Sequence, residues 1–301
     1  MSHRRDRETK NMQRTLQRLI CALLTLMGIS AADAADEKPL RIAFIAYQNP
    51  DQLIEDVRPV VAYLEETLKV SVKYFAATDY AGIVEALRNE TADVGFMGPL
   101  QYVLAHQEAG AYPILGEIYN GSPNYVSRIF VRKDSGIDNL KDLRGKTIAF
   151  VDPISSSGYM YPLRIFRKAG LVENSEDGQK FFKKIYFAGG DEQAIRAALN
   201  NFVDAAGIGQ YSYNLLRPEE RDEMKFIAES EKIPSHCVVV RKGLDKQTAS
   251  GLQEALLALN DGPRHSLLKY LYNVGGYVKV THEDYLEVER IARDYGYLRT
   301  R

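Results

Sequence analysis

The sequence predicts an α/β fold of two units with a ligand cleft between them. Three observations carry this. Apolar strands alternate with amphipathic helices from residue 40 onward. Two longer apolar strands, at about 126–132 and 235–241, stand where a chain would cross between units. A Ser-Ser-Ser-Gly turn joins a buried strand to a helix.

In order, 40–47 reads as a strand and 51–69 as a helix with Leu53, Val57, Val60, Val61 and Leu64 on one face. A strand at 70–75 and a helix at 78–89, capped by Thr78 or Asp79, follow. Next come a strand at 92–97, a helix at 99–109 and a strand at 114–119. Such alternation implies a mainly parallel sheet covered by helices on both faces. Residues 125–133 read as a longer alternating strand with polar Ser127 and Arg128.

A second series then begins: strand 146–151, helix 156–169 closed by Gly170, strand 184–188, helix 191–200 and strand 203–208. A short helix from 211 and a strand at 225–229 complete it, before the strand 236–241. The remainder reads as helical, over 245–260, 263–272 and 282–295. With the long strands as crossovers, one domain is 35–125 plus 242–301 and the other is 133–234, with 126–132 and 235–241 as hinge. Ligands in such architecture sit at the carboxyl ends of strands and are enclosed by hinge closure.

Residues 1–34 read as a secretory signal peptide. Arg14 and Arg18 precede an apolar run over 19–29, and Ala32-Asp33-Ala34 offers a small-x-small cleavage site. A run of about 11 residues is too short to cross a bilayer, which needs ~20. Met1 and Met12 are both candidate starts, and the expected location is the periplasm. Of 39 basic and 40 acidic residues, the leader takes six and three, leaving 33 against 37 and a net charge of about −4. That argues against a nucleic-acid partner, which needs a basic face. After cleavage Cys237 is the one cysteine, so no internal disulfide or cysteine-based metal site is expected.

The richest stretch is 148–164. A strand over 148–151 enters a Pro-containing turn, three serines and a glycine, and then a helix. Three hydroxyls and several free backbone N–H groups therefore meet at a helix N-terminus, an anion site made without lysine or arginine. A single serine N-cap would explain less than the whole run.

With those residues in view, the chain resembles the periplasmic phosphate/phosphite/phosphonate-binding proteins of ABC importers, a branch of the type II (two-domain, Venus-flytrap) solute-binding fold. The resemblance lies in 78–87, 93–99 and 142–146, and most specifically in 150–162, Phe-Val-Asp-Pro-Ile-Ser-Ser-Ser-Gly-Tyr-Met-Tyr-Pro. Shorter pieces at 187–189, 204–206 and 233–235 follow in the same order.

The resemblance implies that Ser155, Ser156, Ser157 and Gly158 grip the oxyanion through hydroxyls and amides. It also implies that Tyr80 donates a phenol, that Tyr47 and Tyr102 line the cleft, and that Tyr125 is a further candidate at the first crossover. Where aminoalkylphosphonate binders carry Gly-Ser-His-Asp, this chain has Gly189-Gly190-Asp191-Glu192. Where they carry an acidic residue after the Asp-x-Ala strand, it has Gly207-Ile208-Gly209-Gln210. Asp191 is thus either a partial substitute or a helix N-cap, and 2-aminoethylphosphonate is not the expected ligand.

The function expected is capture of a small phosphorus oxyanion for an inner-membrane ABC permease, by a monomer with no cofactor and no catalysis. The alternative is a receptor of the same fold presenting an oxyanion to a sensor kinase. Arsenite is one such ligand, since relatives bind it through a cysteine and Cys237 is present. Gly207-x-Gly209 lacks the full dinucleotide fingerprint. His106, His236, His265 and His282 show no metal-ligand spacing, and caps or surface roles are expected of them. A Ser-His-Asp hydrolase would need an oriented histidine beside Ser155–Ser157; His236 is the one candidate, and nothing in the sequence orients it.

Overall fold

Two sheets organise the chain, each grown from the strand–helix alternation. The computed structural model describes residues 38–45, 50–77, 79–173 and 175–299, so the leader and Tyr47 lie outside the described residues. The first sheet contains β1 (Leu40–Ile45), β2 (Val72–Ala77), β3 (Val94–Met97), β4 (Tyr112–Ile118), β12 (Cys237–Val240) and β13 (Gly276–Lys279), in the order β13-β4-β12-β3-β1-β2. β2, β1 and β3 run parallel, whereas the returning β12 is antiparallel to both β3 and β4. The second sheet contains β6 (Ser127–Arg132), β7 (Thr147–Phe150), β8 (Lys184–Phe187), β9 (Ala205–Gly209) and β10 (Met224–Glu229), in the order β10-β6-β9-β7-β8.

Each sheet is covered on both faces, as parallel strands with few polar side chains require. On the first, helix Pro50–Leu68 buries Val57, Val60, Val61 and Leu64 against Leu252 and Leu256 of helix Lys246–Leu257. The opposite face takes Ile83 and Leu87 of helix Tyr80–Arg88, Leu100 and Val103 of helix Pro99–Ala109, and Val288 and Ile291 of helix Leu286–Asp294. The second sheet lies between Ala194, Ile195 and Ala198 on one side and Leu163, Phe166, Phe181 and Phe182 on the other. Each of the larger side chains, the valines, leucines, isoleucines and phenylalanines, contributes about 1.5–3 kcal/mol when withdrawn from water.

The segment 125–133, read as one strand, is two. β5 (Asn124–Tyr125) pairs antiparallel with β11 (Ile233–Pro234) in a separate ribbon, and β6 begins at Ser127 within the second sheet. The strands expected as crossovers therefore belong one to each sheet, and the ribbon β5–β11 stands where the chain passes between them. Near the C-terminus, Gly276–Lys279 is an edge strand that the helical reading missed, and 263–272 contains only the tight turns of His265–Tyr270. Asp93, inside one of the family-like segments, anchors the fold: Arg41 and Arg241 both donate to its buried carboxylate, at 2.8 and 2.7 Å.

The consequence for function is positional. β2, β3, β7 and β8 all end toward one region, and helices begin there at Tyr80, Pro99, Ser156 and Asp191. Several positive helix ends therefore face the same space.

Candidate functional site

That space is a cavity of about 680 Å³ lined from both sheets. The volume lies within the roughly 300–1,000 Å³ of small-molecule sites. The second-sheet wall is the serine turn. After β7 the chain bends through Asp152, whose carboxylate accepts from the Ile154 amide at 2.7 Å, into a wide helical turn over Ser156–Met160. Ser155 caps this turn, its hydroxyl accepting from the Gly158 amide at 3.0 Å. The Ser156 hydroxyl accepts from the Leu100 amide at 2.8 Å, and the Ser157 carbonyl accepts from the Ser127 hydroxyl at 2.7 Å.

All three serines line the cavity, although the fold leaves them only 5–7 % exposed. A hydroxyl that accepts from a backbone amide still has its own proton to donate. Ser155 and Ser156 are thus held in place and left as donors. Gly158 serves differently: a Cβ there would lie 2.4 Å from Val151 Cβ, so glycine is what lets the turn close on β7.

The first-sheet wall is Gly98, Gln101 and Tyr80. Gln101 fixes it, its Oε1 accepting from the Gly98 amide at 2.7 Å and its Nε2 donating to the Tyr80 carbonyl at 3.2 Å. Burial raises the Tyr80 phenol well above its ordinary pKa, more than the neighbouring Ser155 hydroxyl lowers it, so Tyr80 is a neutral donor. Tyr125 lines the ribbon side; burial likewise raises its pKa, against a smaller pull from the Ser157 hydroxyl. The geometry at Ser157 falls short of a hydrogen bond, and the Tyr125 hydroxyl has no protein partner.

Asp191 also lines the cavity but does not cap its helix. Gly190 occupies the cap position, and Asp191 accepts from the Ser212 hydroxyl at 2.6 Å. Burial, the largest effect, raises its carboxyl above the ordinary range, opposed by Ser212 and the Gly209 amide.

Tyr102 is the expectation that the structure corrects. It is fully buried among Tyr285 and neighbours, and its hydroxyl bonds His282 Nδ1 at 2.7 Å, away from the cavity. Helix residues advance about 100° each, so Gln101 faces the cavity and Tyr102 the core behind it. His106 and His282 stack at 4.0 Å on that side.

Cys237 is fully buried, its thiol near the Met97 carbonyl at 3.8 Å. Burial raises its pKa, and it does not line the cavity. The thiol-dependent arsenite reading therefore loses its structural basis. Among the described residues, no group of three or more His, Cys, Asp or Glu is placed to hold a metal.

Several lining residues escaped the sequence reading. Tyr119, Asn120 and Gly121 form a tight turn with φ of +49° and +75° at Asn120 and Gly121. An Asn-Gly pair is the signal for such a turn. Tyr211, Tyr270, Tyr272 and Lys269 also contribute, Lys269 being the one lysine or arginine among the described lining residues, and His236, the histidine singled out in the sequence, lines the cavity as well. Among the described residues, hydrogen bonds joining the sheets' flanking segments beside the cavity include Leu100 to Ser156, and the Tyr211 hydroxyl to the Tyr119 carbonyl at 3.3 Å.

A serine-lined cluster of helix N-termini between two α/β halves matches a known family over most of the chain. The model of the periplasmic substrate-binding protein of phosphonate ABC transporters covers residues 42–285. The chain belongs to that family. The phosphonates-binding periplasmic protein of Escherichia coli K12 is 30 % identical over 251 residues, which are 80 % of this chain and 72 % of that protein. The phosphate-import protein PhnD of Mycolicibacterium smegmatis is 33 % identical over 171 residues, 55 % of this chain and about half (53 %) of its own length.

Among solved structures, PhnD1 of Prochlorococcus marinus in complex with methylphosphonate superposes with a TM-score of 0.76 at 21 % identity, covering 87 % of this chain and 99 % of that one. That likeness confirms the type II periplasmic-binding fold. Family membership makes this chain a periplasmic substrate-binding component of an ABC importer, with a small ligand and a membrane permease as its partners. No helix among the described residues is long and apolar enough to cross a membrane.

Proposed function

We propose that the cavity captures one small phosphorus oxyanion, a phosphonate, phosphite or phosphate, and hands it to the permease. Ser155, Ser156 and Ser157 form the gripping wall, and Tyr80 and Tyr125 form the phenolic wall. The observation that carries this reading is the locked serine turn: the Ser155 and Ser156 hydroxyls each accept from a backbone amide, Ser157 is held through its carbonyl, and a cluster of helix N-termini supplies positive potential. Neutral donors suit a transport receptor, because they hold a dianion firmly in an enclosed site without a salt bridge that would slow release. A fixed counter-cation at the serines is absent among the described lining residues, Lys269 contributing from another segment of the wall.

Asp191 accepts from Ser212 on one oxygen and lines the cavity, where its carboxylate would oppose an anion, so the oxyanion would sit at the serines and away from Asp191. The ligand would enter with the two halves apart and be enclosed as they close about the β5–β11 ribbon, with domains divided near 126–132 and 235–241. Export would follow cleavage after Ala34, and the mature chain would act as a monomer.

A thermal-shift screen of residues 35–301 tests the reading, with phosphate, phosphite, methylphosphonate, 2-aminoethylphosphonate, sulfate and arsenite as the panel. A ligand at 100 times its dissociation constant adds about 2.7 kcal/mol of stability, a readily seen shift. A selective shift with one phosphorus compound is the expected result. A shift with arsenite or sulfate alone would contradict it.

A further inference from the structure

Behind the cavity's first-sheet wall lies a buried carboxylate that the phosphorus-oxyanion reading does not use. Glu117, on β4, is 1 % exposed. Its Oε2 accepts from the Tyr119 hydroxyl at 2.8 Å, and its Oε1 has no hydrogen-bond partner. The basic group within 4.0 Å of it, among the described residues, is the imidazole of His236, with Nδ1 3.9 Å from Oε2.

His236 connects this carboxylate to the ligand space. It lines the cavity, stacked on Tyr125 with ring centroids 5.3 Å apart. Its opposite edge faces the residue that caps helix Pro99–Ala109. A Cβ built on Gly98 would meet His236 Cδ2 at 3.4 Å and Nε2 at 3.7 Å. One ring nitrogen thus faces Glu117, and the other faces the helix N-terminus where an anion is expected.

We propose that Glu117 and His236 form a proton-holding pair that sets the charge of the cavity floor, so that the site takes its oxyanion only while the pair retains one proton. The carboxyl stands 3.9 Å from Nδ1, wider than a hydrogen bond, and would close on it as the anion binds, with Nε2–H donating to an oxygen of that anion. The proton resides on the Glu117 carboxyl or, when the anion draws it inward, on the imidazole; either way the pair is neutral and donates. Loss of that proton leaves a buried carboxylate behind the ligand and repels the anion.

The surroundings support a shared proton. Among the described residues His236 is faced by Glu117, Tyr119 and Tyr125, and Glu117 in addition by Tyr272, Tyr277, Tyr285 and Cys237, so phenols, a thiol and the imidazole surround the carboxyl. Burial pushes the Glu117 carboxyl up to about 8, the Tyr119 hydroxyl opposing it, and pushes the His236 imidazole down to about 4. At neutral pH the pair accordingly carries one proton. The ligand class follows: an anion with a free oxygen acceptor on this wall, and not an ammonium group, which Nε2–H would repel.

This inference rests on the proposed oxyanion capture, and the test separates the two. The affinity of methylphosphonate and of phosphite would be measured calorimetrically from pH 6 to 9.5, in buffers of different ionisation heat, for the wild-type chain and Glu117→Gln. Wild-type affinity should fall about tenfold more than that of the variant between pH 7 and pH 9, with proton uptake on binding near pH 9 that Glu117→Gln lacks. Subtracting the variant removes the ligand's own ionisation.

Equal pH profiles and equal proton uptake would overturn the pair. An independent reading comes from the infrared carbonyl band of a protonated carboxyl in the ligand-free protein. It should be present at pH 7, vanish above pH 9, and be absent in Glu117→Gln. Its absence from the wild type at pH 7 would also overturn the proposal. Failure of every phosphorus oxyanion to bind while that band is present would overturn the capture reading and, with it, the coupling to ligand.

Discussion

The Leu100 amide donates to the Ser156 hydroxyl at 2.8 Å, joining the helix that follows β3 of the first sheet to the turn that follows β7 of the second. One serine therefore serves two purposes. Its hydroxyl lines the cavity with its own proton left to donate, and it links the two walls that must close on a ligand. Ser155 and Ser157, by contrast, are tied within their own half.

Replacing Ser156 alone by alanine should therefore do more than remove one donor. A hydrogen bond to a charged group is worth about 1.5–3 kcal/mol, so oxyanion affinity should fall by roughly tenfold to a hundredfold. Ser157→Ala should cost less, because its polar contact in the fold is made through its carbonyl. Calorimetric titration of both variants decides the ranking, and a smaller loss at Ser156 would contradict it.

Asp191→Asn should tighten binding of a small dianion by roughly threefold to tenfold, because a carboxylate lining the same cavity repels it. The Ser212 hydroxyl can still donate to the amide oxygen, so the helix start should survive. Weaker binding in the variant would mean that Asp191 receives a positively charged or hydrogen-bond-donating part of the ligand.

Cys237→Ser should leave oxyanion affinity unchanged while lowering stability by about 1–2 kcal/mol, since a hydroxyl replaces a fully buried thiol among apolar neighbours. Parallel titration and denaturant melts check both halves of this statement. Loss of binding would return the thiol to the site.

The stability of the ligand-free protein should carry the signature of Glu117. Its folded pKa of about 8 stands above that of an exposed carboxyl, so the folded state binds the extra proton and stability falls as pH rises toward 8. His236, lowered to about 4, acts oppositely up to the ordinary imidazole range. The two nearly cancel at mildly acid pH. Between about pH 6.5 and 8 the Glu117 effect stands alone, at about 1.4 kcal/mol per pH unit. Glu117→Gln should flatten that decline in chemical denaturation, and an unchanged slope would contradict the buried, protonated carboxyl.

What the sequence reveals is what lies close along it. The serine turn is contiguous, so its strand, cap and helix could be read together, and the alternation at 40–119 specifies the first sheet's parallel core. Tyr102 shows the limit of that reading: being near a helix start does not say which way a side chain points, and one residue of rotation separates Gln101 in the cavity from Tyr102 in the core. The Glu117–His236 contact was not legible, because it exists only once β12 returns beside β4, and no local pattern marks that pairing. β13 was hidden by Gly275 and Gly276, which blur strand periodicity although the antiparallel pairing with β4 is regular.

The central claim is that the locked serines grip the anion, and calorimetric titration of methylphosphonate and phosphite into the wild-type chain and a Ser155→Ala, Ser156→Ala, Ser157→Ala variant tests it most directly. The wild type should bind at least one of them saturably, and that binding should be lost in a variant whose circular dichroism is unchanged. Retained affinity in the folded triple variant would place the anion elsewhere and contradict the account.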